Sequence, residues 1–492
     1  MSIIKFCDIK QTNNKYSGEI AEQMTNIMTH GNYIEGEEVS IFENNFAKYI
    51  GMKYCIGVGN GTDALEIAIK SLNLPTGSEI IVPGNTYVAT CMAVVNNNHK
   101  LVLCDVDNDM MMTNIESLIT ENTKAIIVVH MYGKSQNMDL ISELCAKYNI
   151  YVIEDCAQAH GAIYKTKRVG SFGHIACFSF YPTKNLGACG DGGCIMTNSE
   201  DTYNYIVKYK NFGSMGKNNH VMIGRNSRLD TIQAGILNIK LKYLDNENNL
   251  RKRNARLYYD LLSCLCNMQI TIPYEYSDDN VYHLFIICAK NSNSRDELIK
   301  YLSDNNIETA IHYPTAICEM DIFDVTHTPN SSKFSKNMIS LPMYPDLSEL
   351  EIRVICDKIK SFYINKLTTV TTDGKSGVLH YRDIDFPTKR LFYIDNIDVV
   401  PSNRGDHAIL NFNEYLIVIS GSIILKLRDT FGNILCDTVL KKNDTYKINS
   451  STWINYTITE LNTVILVLCD KPYTESLVEK DETKFFINQA NA

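Results

Sequence analysis

The sequence predicts an α/β domain with a mostly parallel sheet, followed by a second domain that is all β. Between residues 53 and 197, short apolar runs alternate with stretches of helical periodicity. Continuous apolar runs of this kind are typical of strands buried on both faces of a parallel sheet. After residue 377 the pattern changes to closely spaced short β-rich runs separated by turn residues, which is typical of an antiparallel sandwich or jelly roll.

The first domain is predicted to span residues 1–366. Apolar residues such as Ile20, Met24 and Ile27 recur at helical spacing up to about residue 49. Seven strands are then expected near residues 55–58, 79–82, 100–104, 125–130, 151–153, 175–180 and 194–196. One or two long helices over 230–260, a strand over 282–289 and a smaller α/β subdomain complete this domain.

A polar stretch rich in Gly, Ser and Thr, residues 367–377, is the predicted linker. The second domain is predicted over residues 378–492, with strands near 390–394, 414–419, 422–428, 434–440, 453–459 and 463–469.

Composition excludes several classes of partner. The formal net charge is −9 and no long basic run is present, so neither nucleic acid nor anionic lipid is an expected partner. The N-terminus lacks the apolar core of a signal peptide, and no apolar stretch is long enough to span a bilayer. The sixteen cysteines show neither CxxC pairs nor zinc spacing, so we expect mostly buried thiols, a cytoplasmic location and no metal.

Lys184 is the first candidate for chemistry. It follows the apolar run that ends at Phe180, just after Pro182 interrupts the strand. Ligands of open α/β sheets bind beyond the strand ends, and a sheltered lysine there can lose its proton and form a Schiff base with a carbonyl compound. By itself, such a lysine is more often a surface residue of a loop.

Two further segments supply complementary groups. Asp155 follows an apolar strand, where a carboxylate can face a protonated ring nitrogen, although a helix N-cap is a common alternative. Gly61 and Thr62 lie where a glycine-containing turn leads into a helix, and the free N–H groups of a helix start suit a phosphate. A glycine turn by itself is also compatible with a plain tight turn.

Together these segments resemble the DegT/StrS family of nucleotide-sugar aminotransferases, which are fold-type I enzymes that depend on pyridoxal 5′-phosphate. The resemblance covers about residues 1–365. Further matching segments are 31–36, 83–90, 224–230, 312–314 and 340–345.

The resemblance implies a role for each matching residue. Lys184 would hold the cofactor as a Schiff base and move protons between the substrate and cofactor carbons. Asp155 would pair with the ring nitrogen, Tyr87 would stack on the ring, and Gln158 would contact the phenolic oxygen. The phosphate would be held by Gly61, Thr62, Ser179 and, from a neighbouring subunit, Asn226.

The substrates also follow from the resemblance. Tyr181, His312 and Tyr313 would line the sugar side of the site. Glutamate would donate the amine to a nucleotide-linked keto-sugar, in a homodimer with shared active sites. On local sequence alone, Tyr87 could equally be a core aromatic, Gln158 a polar residue at a helix start and His312 a structural histidine.

The second domain resembles the sugar 3,4-ketoisomerases, small cupins that act on dTDP-4-keto-6-deoxyglucose. Residues 389–394 and 404–408 carry this resemblance, and they make Tyr393, Arg404 and His407 site candidates. The chain departs from the family pattern at Ile409, where the second histidine of the motif is expected. We therefore expect an impaired or non-catalytic domain without a metal, because isoleucine can neither carry a proton nor bind a metal.

These observations predict an aminotransferase that converts a dTDP-3-keto-6-deoxyhexose to the 3-amino-3,6-dideoxyhexose. One alternative is a bifunctional enzyme whose cupin still isomerises the 4-keto sugar. Two others are a C4 aminotransferase and a non-enzymatic sugar-nucleotide sensor.

Overall fold

A computed structural model describes residues 3–216, 218–266, 269–367, 390–394, 400–471 and 478–482. The chain divides into two compact units, one of Met1–Asp260 with Asn267–Ile355 and one of Leu261–Cys266 with Cys356–Ala492. Leu367, the first residue of the predicted linker, ends α12, and residues 368–389 lie outside the described residues, so the domain boundaries remain predictions.

The helices are α1 Ile9–Asn14, α2 Ser17–His30, α3 Glu37–Ile50, α4 Gly61–Ser71, α5 Val88–Asn96, α6 Met138–Tyr148, α7 Glu200–Tyr209, α8 Thr231–Leu241, α9 Leu244–Leu262, α10 Ser292–Asp304, α11 Pro329–Asn337 and α12 Glu349–Leu367. Strands of the first unit are β1 Tyr54–Val58, β2 Glu79–Pro83, β3 Lys100–Cys104, β4 Thr123–Val129, β5 Tyr151–Asp155, β6 Ile163–Tyr164, β7 Lys167–Arg168, β8 Ile175–Ser179, β9 Gly193–Thr197, β10 Ile270–Thr271, β11 Phe285–Ala289 and β12 Met338–Leu341. Strands of the second unit are β13 Arg390–Ile394, β14 Ser402–Ile409, β15 Glu414–Ser420, β16 Ser422–Arg428, β17 Ile434–Lys441, β18 Thr445–Ile448, β19 Thr452–Ile458, β20 Val464–Cys469 and β21 Val478–Glu479.

The first unit is built on a seven-stranded sheet in the order β1-β9-β8-β5-β4-β2-β3. Only β9 pairs antiparallel with its neighbours, so the prediction of a mostly parallel sheet is confirmed. Strands β5 and β8 are parallel neighbours, with Asp155 opposite Cys177. Their carboxyl ends therefore meet at one edge of the sheet, which is where ligands bind in folds of this class.

Aromatic packing holds the end of β8 in place. Phe46 of α3 meets Phe178 edge-on at a centroid distance of 5.0 Å, and Phe42 meets Phe180 in the same manner at 5.2 Å. All four rings are fully buried. Edge-to-face pairs of buried aromatics add about 0.5–1.5 kcal/mol each to the stability gained by burial. The chain that follows Phe180 therefore starts from a rigid point.

The smaller part of the first unit has a three-stranded antiparallel sheet, β10-β11-β12, with α10 and α11 nearby in sequence. This is the small α/β subdomain that the sequence predicts. The short strands β10 and β12 were not predicted, because two or four residues are too few to establish a period.

The second unit has two antiparallel sheets, β13-β20-β15-β18 and β17-β16-β19-β14-β21. Side chains from both sheets, among them Leu416, Ile454 and Val467, form its apolar core. This architecture is consistent with a cupin jelly roll, as predicted. No helix among the described residues is both long and apolar enough to cross a membrane.

Candidate active site

The turn that carries Lys184 is closed by backbone hydrogen bonds. The N–H of Lys184 donates to Tyr181 O at 2.9 Å, and the N–H of Ala188 donates to Phe180 O at 2.8 Å. Gly187 admits no side chain, because a Cβ atom there would lie 2.4 Å from Pro182 O. The turn is therefore compact and holds Lys184 at the sheet edge.

Burial changes the proton affinity of this lysine. The pKa of Lys184 is lowered to about 8, because desolvation penalises the ammonium form, and the nearby Asp155 charge opposes the shift. At pH 7 about a tenth of the amine is then neutral, far more than for an exposed lysine. A neutral amine is the form that attacks a carbonyl.

Asp155 is 5% exposed at the end of β5. Its Oδ2 accepts a hydrogen bond from Thr90 Oγ1 at 2.9 Å, and its Oδ1 accepts one from the N–H of Ala157 at 3.1 Å. Burial raises the pKa of Asp155, while these hydrogen bonds and the charge of Lys184 oppose the rise. No described helix starts here, so the N-cap alternative is wrong.

The start of α4 meets the end of β8. Asn60 caps the helix by accepting from the N–H of Asp63 at 2.8 Å. A Cβ atom on Gly61 would lie 2.6 Å from the Cβ of Ser179, so the backbone of Gly61 touches that serine. Gly61, Thr62 and Ser179 are thus brought together at the positive end of a helix, which suits a phosphate group.

Gln158 is buried, and its amide orientation is fixed by its neighbours. Its Oε1 accepts from the N–H of Tyr132 at 2.7 Å, and its Nε2 donates to Tyr313 Oη at 3.0 Å. No described helix starts at Gln158. The Tyr87 ring lies 5.2 Å from the Tyr313 ring and is 53% exposed, so it is not a core aromatic.

The residues predicted for the sugar side include His312, which is held on two sides. Its Nδ1 lies 3.0 Å from Ser340 Oγ, and its ring stacks on Phe6 at a centroid distance of 5.6 Å. Burial, and then the charge of Lys184, lower the pKa of His312 to about 4, so its imidazole is neutral at pH 7. Tyr181, in the Lys184 turn, is 53% exposed.

Asn226 lies on the segment that precedes α8. Its side chain is exposed, and the part of the chain that the structure describes records no hydrogen bond for it. Its neighbours anchor the segment to α4, since Arg225 pairs with Asp63 at 2.8 Å and Ser227 Oγ donates to the same carboxylate at 2.5 Å.

The three cupin candidates lie on two strands. In register, Tyr393 is opposite Leu466, Arg404 is opposite Tyr456, and His407 is opposite Ile454. The side chains of Tyr393 and Arg404 lie outside the described residues, and that of His407 is half-buried.

A buried cluster of His130, Glu154 and Cys156 has ligand atoms within 4.8 Å of one another. The carboxylate of Glu154 already accepts from His130 Nε2 and from the N–H groups of Gly170, Phe172 and Gly173. His130 Nδ1 accepts from the N–H of Gln136, so Nε2 carries the proton. We interpret the cluster as a structural network that fixes the chain after β5.

Sequence reasoning missed Thr90, Asn185 and His283 as members of the site region. Thr90 lies 65 residues before its partner Asp155, and His283 lies 98 residues after its partner Asn185. No local pattern marks such contacts, because they exist only once the sheet has formed.

Comparison with known proteins gives two matches along the chain. The profile of the DegT/DnrJ/EryC1/StrS aminotransferase family matches residues 14–360, and a profile described as WxcM-like, C-terminal matches residues 363–489. With the fold and the site, these matches define a pyridoxal-phosphate-dependent nucleotide-sugar aminotransferase with a cupin-like second domain. The chain belongs to the DegT/DnrJ/EryC1/StrS aminotransferase family.

Among curated relatives, the dTDP-3-amino-3,6-dideoxy-α-D-galactopyranose transaminase of Aneurinibacillus thermoaerophilus is 43% identical, over 73% of this chain and 99% of its own length. The UDP-2-acetamido-2-deoxy-3-oxo-D-glucuronate aminotransferase of Pseudomonas aeruginosa is 37% identical, over 72% of this chain and 99% of its own length. Among solved structures, DesV of S. venezuelae has a TM-score of 0.71 at 33% identity and covers 74% of this chain and 99% of its own. NtdA of Bacillus subtilis, solved with the cofactor PMP, has a TM-score of 0.68 at 29% identity. The match covers 74% of this chain and 86% of NtdA.

The residues present fit pyridoxal phosphate. A lysine with a lowered pKa and a buried carboxylate lie at adjacent strand ends, within electrostatic reach of each other. Gly61 leaves a side-chain-free surface beside Ser179 at a helix start. These groups match the aldehyde, the ring nitrogen and the phosphate of the cofactor.

Proposed function

We propose that this enzyme transfers the amine of glutamate to C3 of a dTDP-3-keto-6-deoxyhexose, giving the dTDP-3-amino-3,6-dideoxyhexose. The observation that carries the proposed site is the pair of Lys184, whose pKa burial lowers to about 8, and the buried carboxylate of Asp155. The choice of a dTDP-linked, C3-aminated sugar is supported by the 43% identical relative, a dTDP-3-amino-3,6-dideoxy-α-D-galactopyranose transaminase.

When bound, pyridoxal phosphate supplies the electron sink for transamination. Lys184 would hold the cofactor, and its amine, fixed on the closed turn, would carry protons between substrate and cofactor carbons. Asp155 would keep the ring nitrogen of the cofactor protonated, and Thr90 orients this carboxylate by donating a hydrogen bond to it. Gln158 turns its Nε2 toward the site, because the N–H of Tyr132 occupies its oxygen.

The phosphate is proposed to bind at the start of α4, on Gly61, Thr62 and Ser179. Tyr87 is proposed to cover the cofactor ring, since its exposed ring stands beside Tyr313.

On the sugar side, we assign Tyr181, His312 and Tyr313. The neutral imidazole of His312 can donate or accept a hydrogen bond without placing a charge beside the substrate. Burial raises the pKa of Tyr313 and so keeps its phenol protonated.

The active enzyme is proposed to be a homodimer with shared sites. Asn226 is exposed on a segment that Arg225 and Ser227 hold rigidly against α4. An exposed amide on a fixed segment is well placed to complete the phosphate site of a second subunit.

The cupin is proposed to be impaired as an isomerase. Ile409 lies two residues after His407 and on the same face of β14. On the neighbouring strand β19, Ile454 is the residue opposite His407. Both isoleucines are fully buried in the apolar core. A carbonyl shift between adjacent carbons needs groups that carry protons, and two isoleucines supply none.

A second candidate function is a bifunctional enzyme whose cupin isomerises through His407, and the half-buried position of that histidine favours it. Incubation of the full chain with dTDP-4-keto-6-deoxyglucose in deuterated water, without an amino donor, separates the two. We expect no deuterium at C3. Incorporation that disappears in His407→Asn would favour the bifunctional enzyme.

The main test is mass spectrometry of the products formed from dTDP-3-keto- and dTDP-4-keto-6-deoxyhexoses with glutamate. We expect an amino sugar from the 3-keto compound only. An amino sugar formed directly from the 4-keto compound, with the amine at C4, would overturn the proposed regiochemistry.

A further inference from the structure

A buried polar cluster lies behind the Lys184 turn and has no role in the proposed function so far. Asn185 is the residue after the lysine, Asn248 belongs to α9, and His283 precedes β11. They are 6%, 3% and 7% exposed. Buried polar side chains of this kind must be hydrogen-bonded, and their geometry fixes which atoms donate.

Backbone carbonyls determine how both amides are oriented, since a carbonyl oxygen can only accept. Asn185 Nδ2 lies 3.0 Å from Val281 O and 2.8 Å from Asn248 Oδ1, so its amino group donates to both. Asn248 Nδ2 lies 2.8 Å from His160 O and is fixed by the same argument. If either amide were flipped, its Oδ1 would face a backbone carbonyl oxygen, and neither atom could donate a hydrogen bond.

The orientation of Asn185 sets the tautomer of His283. Asn185 Oδ1 faces His283 Nδ1 at 3.0 Å and can only accept, so Nδ1 carries the proton. In the neutral imidazole, Nε2 is then the acceptor.

The imidazole of His283 is neutral because burial penalises its charged form. Burial, followed by the charges of Lys184 and Arg251, lowers the pKa of His283 well below its ordinary value, and His312 and His160 act in the same direction. The groups that interact electrostatically with Lys184 are therefore Asp155 and three histidines with lowered pKa values, His160, His283 and His312.

We infer that Asn185 and His283 are positioning residues for Lys184, with Asn185 fixing His283 in the tautomer protonated on Nδ1. This inference rests on the proposed function of Lys184. Asn185 ties the turn to α9 and to the chain before β11, which keeps the neighbouring lysine desolvated. His283, hydrogen-bonded to Asn185 at 3.0 Å, then stays neutral and does not add a second cation beside the Lys184 turn.

The first test measures the amine itself in the cofactor-free full-length chain. The rate of acetylation of Lys184, followed by peptide mass spectrometry across pH, should be half-maximal near pH 8. In Asn185→Ala the turn admits water, and in Asn185→Asp a carboxylate also favours the ammonium form, so both midpoints should rise by about one pH unit.

The matched control is Asn254→Ala. Asn254 is also a buried amide of α9, and its Nδ2 donates to Tyr344 O at 3.0 Å. This variant should lose stability and leave the Lys184 midpoint unchanged. The inference is overturned if the midpoints of both Asn185 variants match the wild-type value, or if Asn254→Ala raises the midpoint as much as they do.

A second test measures the tautomer of His283 in the wild-type chain and uses variants only to assign its signals. Nitrogen-15 NMR of labelled histidines distinguishes the two neutral tautomers, and His283 is the imidazole whose signals vanish in His283→Gln or move most in Asn185→Asp. Protonation on Nδ1 is expected, and protonation on Nε2 would contradict the inference. Both tests work without cofactor, so they remain decisive even if Lys184 proves not to bind it.

Discussion

At the scale of single residues, Lys184 and Asp155 define the site because burial acts on both charges. It lowers the pKa of the amine and raises that of the carboxyl, while each charge favours the ionised form of its partner. Burial thus opposes the charged form of both groups. A bound cofactor with a protonated ring nitrogen would give Asp155 a second cationic partner.

Asp155→Asn should lower kcat by about a hundredfold, because a neutral amide cannot hold the ring nitrogen in its charged form. Thr90→Val removes only one hydrogen bond to that carboxylate. Its kcat should therefore lie between those of Asp155→Asn and the wild type. Steady-state kinetics with saturating cofactor measures both effects. An unchanged kcat in Asp155→Asn would remove Asp155 from the site.

The lowered pKa of Lys184 also predicts a pH dependence of stability. The folded lysine titrates near 8 and the unfolded one near 10.5, so the unfolded chain binds more protons between these values. The contribution of this residue to the free energy of unfolding should therefore rise as pH increases from 8 to 10.5. Urea unfolding of the cofactor-free chain at each pH should show the wild-type free energy of unfolding rising, relative to that of Lys184→Met, between pH 8 and 10.5. A constant difference would mean that the folded lysine titrates normally.

At the scale of elements, the start of α4 and the end of β8 form the proposed phosphate site by touching each other. The contact exists because Gly61 lacks a Cβ atom, and Asn60 caps the helix so that its first N–H groups stay oriented. Phe178 and Phe180 hold β8 from the core side.

Gly61→Ala should weaken binding of pyridoxal phosphate about tenfold or more, because a methyl group 2.6 Å from the Ser179 Cβ must push the two elements apart. Gly18→Ala is the control, since the new methyl group would meet nothing within 4 Å. Equilibrium dialysis gives both affinities. Equal affinities for the two variants would place the phosphate elsewhere.

The order of elements could be predicted from sequence far better than the contacts between them. The strands at 100–104, 390–394 and 422–428 agree with the predicted bounds, because apolar runs and turn residues are local signals. Strand β14 was missed, since its Asn403, Arg404 and Asp406 break any apolar run. Strand β18 is short and was missed as well.

The same limit applies to the site. From local patterns alone, Lys184 could equally be a surface residue of a loop, and Gln158 a polar residue at a helix start. Thr90 and His283, which orient the site, come from distant segments. Only the resemblance joined the predicted residues, and only the structure gave their hydrogen-bond partners.

At the scale of the whole molecule, the chain joins a complete aminotransferase unit to a cupin-like unit. Gly61 of α4 and Ser179 of β8 are in contact within one chain, whereas the side chain of Asn226 is exposed. The proposed assignment of Asn226 to the phosphate site of a second subunit requires that two chains cooperate.

Mixing Lys184→Ala with Asn226→Ala tests this cooperation. Each variant alone should be nearly inactive. Refolded together, they should recover up to about a quarter of wild-type activity, because half of the dimers are mixed and each mixed dimer has one intact site. Mixed dimers that form, as seen by native mass spectrometry, yet remain inactive would show that Asn226 does not act across subunits.

The central claim is that Lys184 carries the cofactor. Borohydride reduction of the full-length enzyme loaded with pyridoxal phosphate, followed by peptide mass spectrometry, tests it most directly. We expect the mass of the reduced cofactor on the peptide that contains Lys184. In Lys184→Ala, the corresponding peptide should carry no cofactor. Attachment to a different lysine, or no attachment in an enzyme that still transfers the amine, would contradict the account.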